Sequence, residues 1–384
     1  MWPIMTTDIN EKRYVQVFIS QNKFKWEGRL LYIWGAGVRG TRLGYWLERE
    51  GFPWFAFVDN DPDKWGKEMA GHKIYSPAVL DDAARKFVLV SIENSHEIDG
   101  ILSQKGYRAG DTCLKLGGAA DEAFLTAMDA VKGGGRLVLG GSLKLCGLEE
   151  DACLADALEE KLDCTVLALS GFPLAILYFA VRQICIEGRA PAKAAVFLKY
   201  DVVDNSNHLL PRLQKLPLAE KLLLKDQGNE ELKRYLRCAY RRAKNYDIEK
   251  QNCPPRGTEN QTVIEAGRLA YLKGIVTPDL NPQNESFQYL RKLNALLREY
   301  DTDVIWIWEP YDYQEVNRLL GPMGIDMIEK KWDVIKDALG TGGSCFNMGH
   351  LLTTNQFLSF NALGECVNAE GRAKITEEMR RIWR

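Results

Sequence analysis

The run RLLYIWGAGVRGTRLGYWLE, residues 29–48, constrains the fold of this chain more than any other stretch. Five residues of β-strand character, Leu30 to Trp34, lead into Gly35-Ala-Gly37-Val-Arg-Gly40, and a helical pattern follows. A second apolar run, WFAFVDND, ends on Asp59. Each glycine has a separate physical task. Gly35 permits a tight turn, Gly37 lets a phosphate approach the backbone, and Gly40 lets the helix pack close to the sheet. The helix N-terminus then faces an anion. Asp59 follows about 20 residues on, where a carboxylate accepts ribose hydroxyls. Strand, glycine turn, helix and strand in this order predict a parallel α/β sheet.

The text DNDPDKWGKEMAGHKIYSPAVL and, later, FVLVSIENSHEIDGILSQKGY carry a more specific likeness. Over residues 27–116 the chain resembles the small Rossmann-like nucleotide-binding domains attached to sugar-modifying transferases of polysaccharide and glycan biosynthesis. The resemblance implies a nucleotide or nucleotide-sugar ligand, or a scaffold role, more than NAD(P)-dependent hydride transfer. His72 and His96 are expected in surface loops.

After residue 116 comes GGAADEAFLTAMDAVKGGGR, one helix with Phe124, Leu125, Met128 and Val131 at helical spacing and glycines on both sides. It reads as a connector. The expected organisation is a first domain over 1–116, a linker helix over 117–135 and a second domain over 136–384. Within the second domain the alternation restarts. Apolar runs in RLVLGG, CTVLALSG, KAAVFLKYD and TDVIWIWEP alternate with helical patterns in DACLADALEEKL, LAILYFAVRQICIEG, SFQYLRKLNALLREY and AEGRAKITEEMRRIW. A second parallel three-layer sheet is expected, with reactive groups beyond the carboxyl ends of its strands.

One such end carries Gly-Gly-Ser, residues 140–142. A tight turn is one reading, and a presented nucleophile is the other. GGSLKLCG at the opening, LSGFP after the second strand, an acidic loop after the third and VNAEG before the last helix resemble an SGNH (GDSL-type) hydrolase, a flavodoxin-like fold. The resemblance makes Ser142 the nucleophile of a serine esterase or O-acyltransferase, and Gly171 an oxyanion-hole donor. It asks for a histidine near the C-terminus, three residues after an aspartate. A serine hydroxyl needs such a base, and the tetrahedral anion needs donors fixed in advance. The chain has four histidines. His350 is the late one, with Asn347 at the aspartate's place, and His208 is the other in this domain. A rival alignment puts Cys366 at the histidine's position and Leu363 at the aspartate's. The fold would then be kept and the chemistry lost. The asparagine expected after the third strand is not evident in LKYDVVDN, where Tyr200 and Asp201 stand at that motif's place and Asn205 comes a little later.

An insertion over about 205–285 is expected to form a helical cap, with Leu232, Tyr235, Leu236 and Ala239 facing inward. Its Lys/Arg-rich outer face is either solvated or a rim for an anionic glycan. Trp306 and Trp308 read as core, and Tyr311 and Tyr313 as core or sugar-stacking residues. Glu309 is a further candidate to orient His350.

Bulk properties bound the partners. A chain of 384 residues exceeds a typical single core, and a formal charge of −2 gives no reason to expect nucleic acid or an anionic membrane as the main partner. No apolar run reaches the roughly 18–20 residues of a membrane span. The opening MWPIMTTDINEKRYVQ carries acids and no apolar core, so no secretion signal is expected there. Nine cysteines without CxxC pairing read as buried thiols in a reducing, cytoplasmic setting. Ester chemistry of this kind calls for no metal or cofactor. The expected partners are a small-molecule or glycan substrate, with an oligomer or a biosynthetic-complex partner also compatible. Three functions stand at this point: a Ser142 esterase or acyltransferase, a catalytically degenerate binding or scaffold protein of glycan biosynthesis, and an NAD-dependent oxidoreductase.

Overall fold

The computed structural model describes residues 6–92, 96–116, 119–141, 143–147, 150–168, 174–199, 216–244, 265, 269–270, 272–273, 276–340, 343–358 and 366–383. The chain divides into two compact α/β units, residues 1–122 and 123–384. The division falls inside one helix, α4 (Ala119–Ala130). Arg189 of the second unit donates to the carbonyls of Met128, Asp129 and Val131 near the end of that helix.

The first unit contains β1 (Thr6–Asp8), α1 (Ile9–Asn22), β2 (Leu30–Trp34), α2 (Val38–Arg49) and β3 (Ala56–Val58). The short strands β4 (Glu68–Met69) and β5 (His72–Tyr75) precede β6 (Lys86–Val90), α3 (His96–Gln104) and β7 (Cys113–Lys115). Its sheet runs β4-β5-β3-β2-β6-β7. All pairs are parallel except the β4–β5 edge, so the sheet is mixed rather than purely parallel. Alternation along β2 sorts the core. Tyr32 and Trp34 join Val58, Val88 and Val90 in a cluster with Ile98 and Leu102 of α3. Leu31 and Ile33 point to the opposite face by the period of two. That is the face on which Phe57 meets α2 at Gly40. Each such buried aliphatic side chain contributes about 1.5–3 kcal/mol.

The second unit continues with β8 (Arg136–Gly140), β9 (Leu145–Gly147), α5 (Leu154–Leu162), β10 (Thr165–Ala168), α6 (Leu174–Ile186) and β11 (Lys193–Leu198). The helices α7 (Leu216–Lys225) and α8 (Glu230–Lys244) follow, then α9 (Glu285–Glu299) and β12 (Asp303–Trp308). The chain closes with α10 (Tyr313–Leu320), α11 (Pro322–Leu339), β13 (Ser344–Asn347) and α12 (Ala369–Ile382). The sheet order is β10-β8-β11-β12-β13, all parallel. Right-handed crossovers put helices that step left and helices that step right on opposite faces. Accordingly α9 packs on both α6 and α11, and α5 packs with α12.

Both sheets reverse direction once, between β2 and β6 in the first unit and between β8 and β11 in the second. In open α/β sheets ligands bind beyond the carboxyl ends of strands at that reversal. The glycine turn follows β2, and the Gly-Gly-Ser turn follows β8.

Candidate functional site

In the first unit the glycine turn is built as its spacing predicts. Gly35 has φ +110°, and a Cβ there would lie 2.6 Å from Ser91 Oγ. A Cβ on Gly40 would lie 1.9 Å from the Gly35 carbonyl oxygen, so α2 rests directly on the turn. Gly37 is extended and has nothing within 4 Å of its would-be Cβ. As the N-cap of α2 it offers no side-chain bond to the first amides of the helix, the end at which an anion is favoured. These features fit a phosphate.

Asp59 directly follows β3, at the strand tip, and has a structural task besides. It is 8% exposed, and its carboxylate serves the protein first. Oδ2 accepts from the Ala36 N–H at 2.8 Å and from Lys64 Nζ at 3.0 Å, while Oδ1 accepts from the Asp61 N–H at 3.0 Å. Of about four acceptor sites on a carboxylate, three are taken. Asp59 is thus the clasp of the glycine turn, with one site left for a ribose hydroxyl. Arg39, in the first turn of α2, is drawn to Glu11 of α1 at 3.1 Å, and Arg42 reaches the same acid at 3.5 Å. Glu11 went unnoticed in the sequence because nothing in its spacing links α1 to the turn. His72 is not a surface-loop residue. It lies in β5, stacked 3.5 Å from the Trp54 ring and paired with Glu48 at 3.0 Å. His96 opens α3.

In the second unit Ser142 and Gly171 lie outside the described residues, as do Tyr200, Asp201, Asn205 and His208. Gly140 has a packing reason of its own. A Cβ there would meet Leu143 Cδ1 at 2.8 Å and Phe197 Cβ at 3.1 Å. Around the reversal the described residues bring together a buried polar group. Lys199, directly after β11, pairs at 3.5 Å with Glu309, directly after β12, and both are at most 5% exposed. The Lys199 ammonium also stands 5.7 Å from the Tyr311 ring. Cys366, 1% exposed, lies within electrostatic reach of Lys199, Cys146, Glu150 and Arg372. Arg372 of α12 and Glu150 hold this corner together at 2.6 Å. Burial, then the neighbouring Cys146 and Glu150, push the Cys366 thiol well above its ordinary pKa. It stays protonated near neutral pH, where it is neither nucleophile nor base.

His350 and Asn347 come together elsewhere. Asn347 ends β13, the edge strand, three strand spacings or about 14 Å from β8. The His350 ring stacks on Tyr313 with centroids 4.0 Å apart, and its Nε2 lies 3.3 Å from Glu329 Oε1. Asn347 Nδ2 donates to Glu329 Oε2 at 3.1 Å, and Tyr313 donates its hydroxyl to the same carboxylate. Burial and the Glu329 carboxylate raise the Tyr313 pKa, which keeps that hydroxyl a donor. Glu329 of α11, not Glu309, is therefore the acid beside His350. Tyr311 and Tyr313 are 0% and 8% exposed, which makes them packing residues rather than a sugar platform. Trp306 and Trp308 are fully buried, and Trp308 stacks on Trp332 of α11 at 5.2 Å.

No protein-family model matches the chain, and no curated protein shows significant similarity to it. Among the described residues no helix is long and apolar enough to cross a membrane. Among the same residues no group of three or more His, Cys, Asp or Glu side chains is placed to hold a metal ion.

Proposed function

We propose that the chain is a ligand-binding protein of glycan or envelope-polysaccharide metabolism, with a Rossmann-like nucleotide or nucleotide-sugar site in the first unit and an SGNH-like crevice in the second that has lost its catalytic base. One observation carries this reading. The corner beside Lys199 holds the buried, protonated thiol of Cys366, and the described imidazole of that unit, His350, is engaged by Tyr313 and Glu329 at the edge strand. A general base must come within hydrogen-bond reach of the proton it takes. The free thiols are in keeping with a cytoplasmic setting.

A Ser142 esterase or O-acyltransferase is the competing reading, favoured by the position of the turn after β8 at the reversal of the sheet. Fluorophosphonate labelling and p-nitrophenyl acetate cleavage separate the two. The binding reading expects neither from the intact chain. Labelling that disappears in Ser142→Ala overturns it, and His208→Gln and His350→Gln then identify the base. In parallel, titrating NAD(H), NADP(H) and nucleotide-sugars against the full chain should raise its thermal midpoint with a nucleotide or nucleotide-sugar. Stabilisation by the nicotinamide cofactors alone would favour the oxidoreductase.

A further inference from the structure

Helix α8 carries a charge pattern that neither crevice uses. Its inner face is fixed: Leu232, Tyr235 and Leu236 are buried, and Tyr235 packs against Phe179 and Tyr289 with ring centroids 5.8 and 5.9 Å away. Asn229 caps its N-terminus through the Leu232 N–H at 2.9 Å, and Glu231 binds Lys292 and the Tyr178 hydroxyl. The helix therefore cannot roll.

With that face inward, Arg234, Arg237 and Arg241 project outward and are exposed. Spacings of three and four residues put them in one row, about 10.5 Å from first to last. None of the three makes a salt bridge among the described residues. The acids nearby are engaged: Glu230 by Lys233 at 2.7 Å, Asp226 by Arg182 and Asn229, and Glu220 by the Tyr240 hydroxyl. Glu230 is also close enough for its charge to reach Arg237. Like charges one helical turn apart repel, so the row is a cost that an oxyanion partner removes.

We infer that this arginine row docks an anionic saccharide chain bearing carboxylates. Arginine rather than lysine at all three positions suits a planar oxyanion, which takes two parallel hydrogen bonds from one guanidinium. Nucleic acid fits less well, since the whole chain is net negative and, among the described residues, the row carries no aromatic interleaved between its arginines on which bases could stack. A membrane fits less well too: the side chain between Arg237 and Arg241 on that face is Cys238, not an apolar wedge. The choice of a glycan rests on the reading above, whereas the row itself does not.

The test titrates the full chain with oligogalacturonate and with a neutral maltooligosaccharide of equal length. Competitors are phosphatidylglycerol vesicles and single-stranded DNA. Two triple variants are compared: Arg234→Gln/Arg237→Gln/Arg241→Gln, and a charge-matched control, Arg85→Gln/Arg108→Gln/Arg380→Gln, at exposed sites elsewhere. The expected result is salt-dependent binding of the uronate, no binding of the neutral chain, and loss of about tenfold or more in affinity only in the α8 variant. Equal losses in both variants, absence of uronate binding, or stripe-dependent preference for vesicles or DNA overturns the proposal. Uronate binding lost in Lys199→Gln but kept in the α8 variant also overturns it, and leaves the crevice reading standing.

Discussion

At the residue scale, Gly37 has a consequence that separates binding from stability. Its backbone is extended, its would-be Cβ meets open space, and α2 lacks a side-chain cap there. Aspartate is among the best N-cap residues, and its carboxylate would sit where a phosphate would. Gly37→Asp should therefore leave the first unit as stable as before or more stable by a few tenths of a kcal/mol, while abolishing the nucleotide affinity proposed above. Thermal denaturation with and without nucleotide reads both effects, and a destabilised variant that still binds contradicts the placement. The thiols make a second residue-scale case. Cys366, Cys153 and Cys185 are buried and held protonated, whereas Cys238 is exposed. Brief iodoacetamide treatment at pH 8 should alkylate Cys238 and spare the other three until denaturant is added, as peptide mass spectrometry would report.

At the element scale, α2 is seated on the turn by contact between backbones, which leaves no side chain to move aside. Gly40→Ala forces a carbon to within 1.9 Å of the Gly35 carbonyl, so helix and turn must separate. The expected cost is about 3 kcal/mol or more, measured by urea denaturation of the first unit. A loss under about 1 kcal/mol would mean the contact is looser than described. This turn was legible in the sequence because its glycines obey local sterics. So were β8, β10, β11 and β12, because strands buried on both faces read as unbroken apolar runs. The edge strand β13, SCFN, was not legible, since its residues are half-buried or exposed and carry no such run. The clasp role of Asp59 was hidden for another reason. Its carboxylate and the Ala36 amide are 23 residues apart, and only the folded sheet brings them within 2.8 Å. His350 stood out by the scarcity of histidines, yet it lies in the turn after β13 while its neighbour Glu329 comes from α11, and no spacing rule pairs them.

At the scale of the whole molecule, the thiols make alkaline stability uneven between the units. In the second unit burial pushes Cys153 and Cys164 up to about 12 and Cys185 to about 11, and also raises Cys345 and Cys366. In the first unit Cys113 is the one cysteine raised, again by burial. An unfolded thiol loses its proton near the ordinary value of 9.0, while these folded ones hold theirs. Between those limits the native state binds more protons, so stability is fully present below about pH 9 and falls as pH rises toward 11–12. With two compact units, denaturant unfolding should proceed in two transitions, assignable with Gly40→Ala in the first unit and Leu293→Ala in the core of the second. Raising the pH from 8 to 10.5 should then lower the second unit's urea midpoint more than the first's. Replacing Cys153 and Cys185 together by alanine should cost stability at pH 8 through lost packing but flatten that pH slope. If both midpoints fall in parallel and the double variant keeps the slope, the buried thiols are not what sets the alkaline limit.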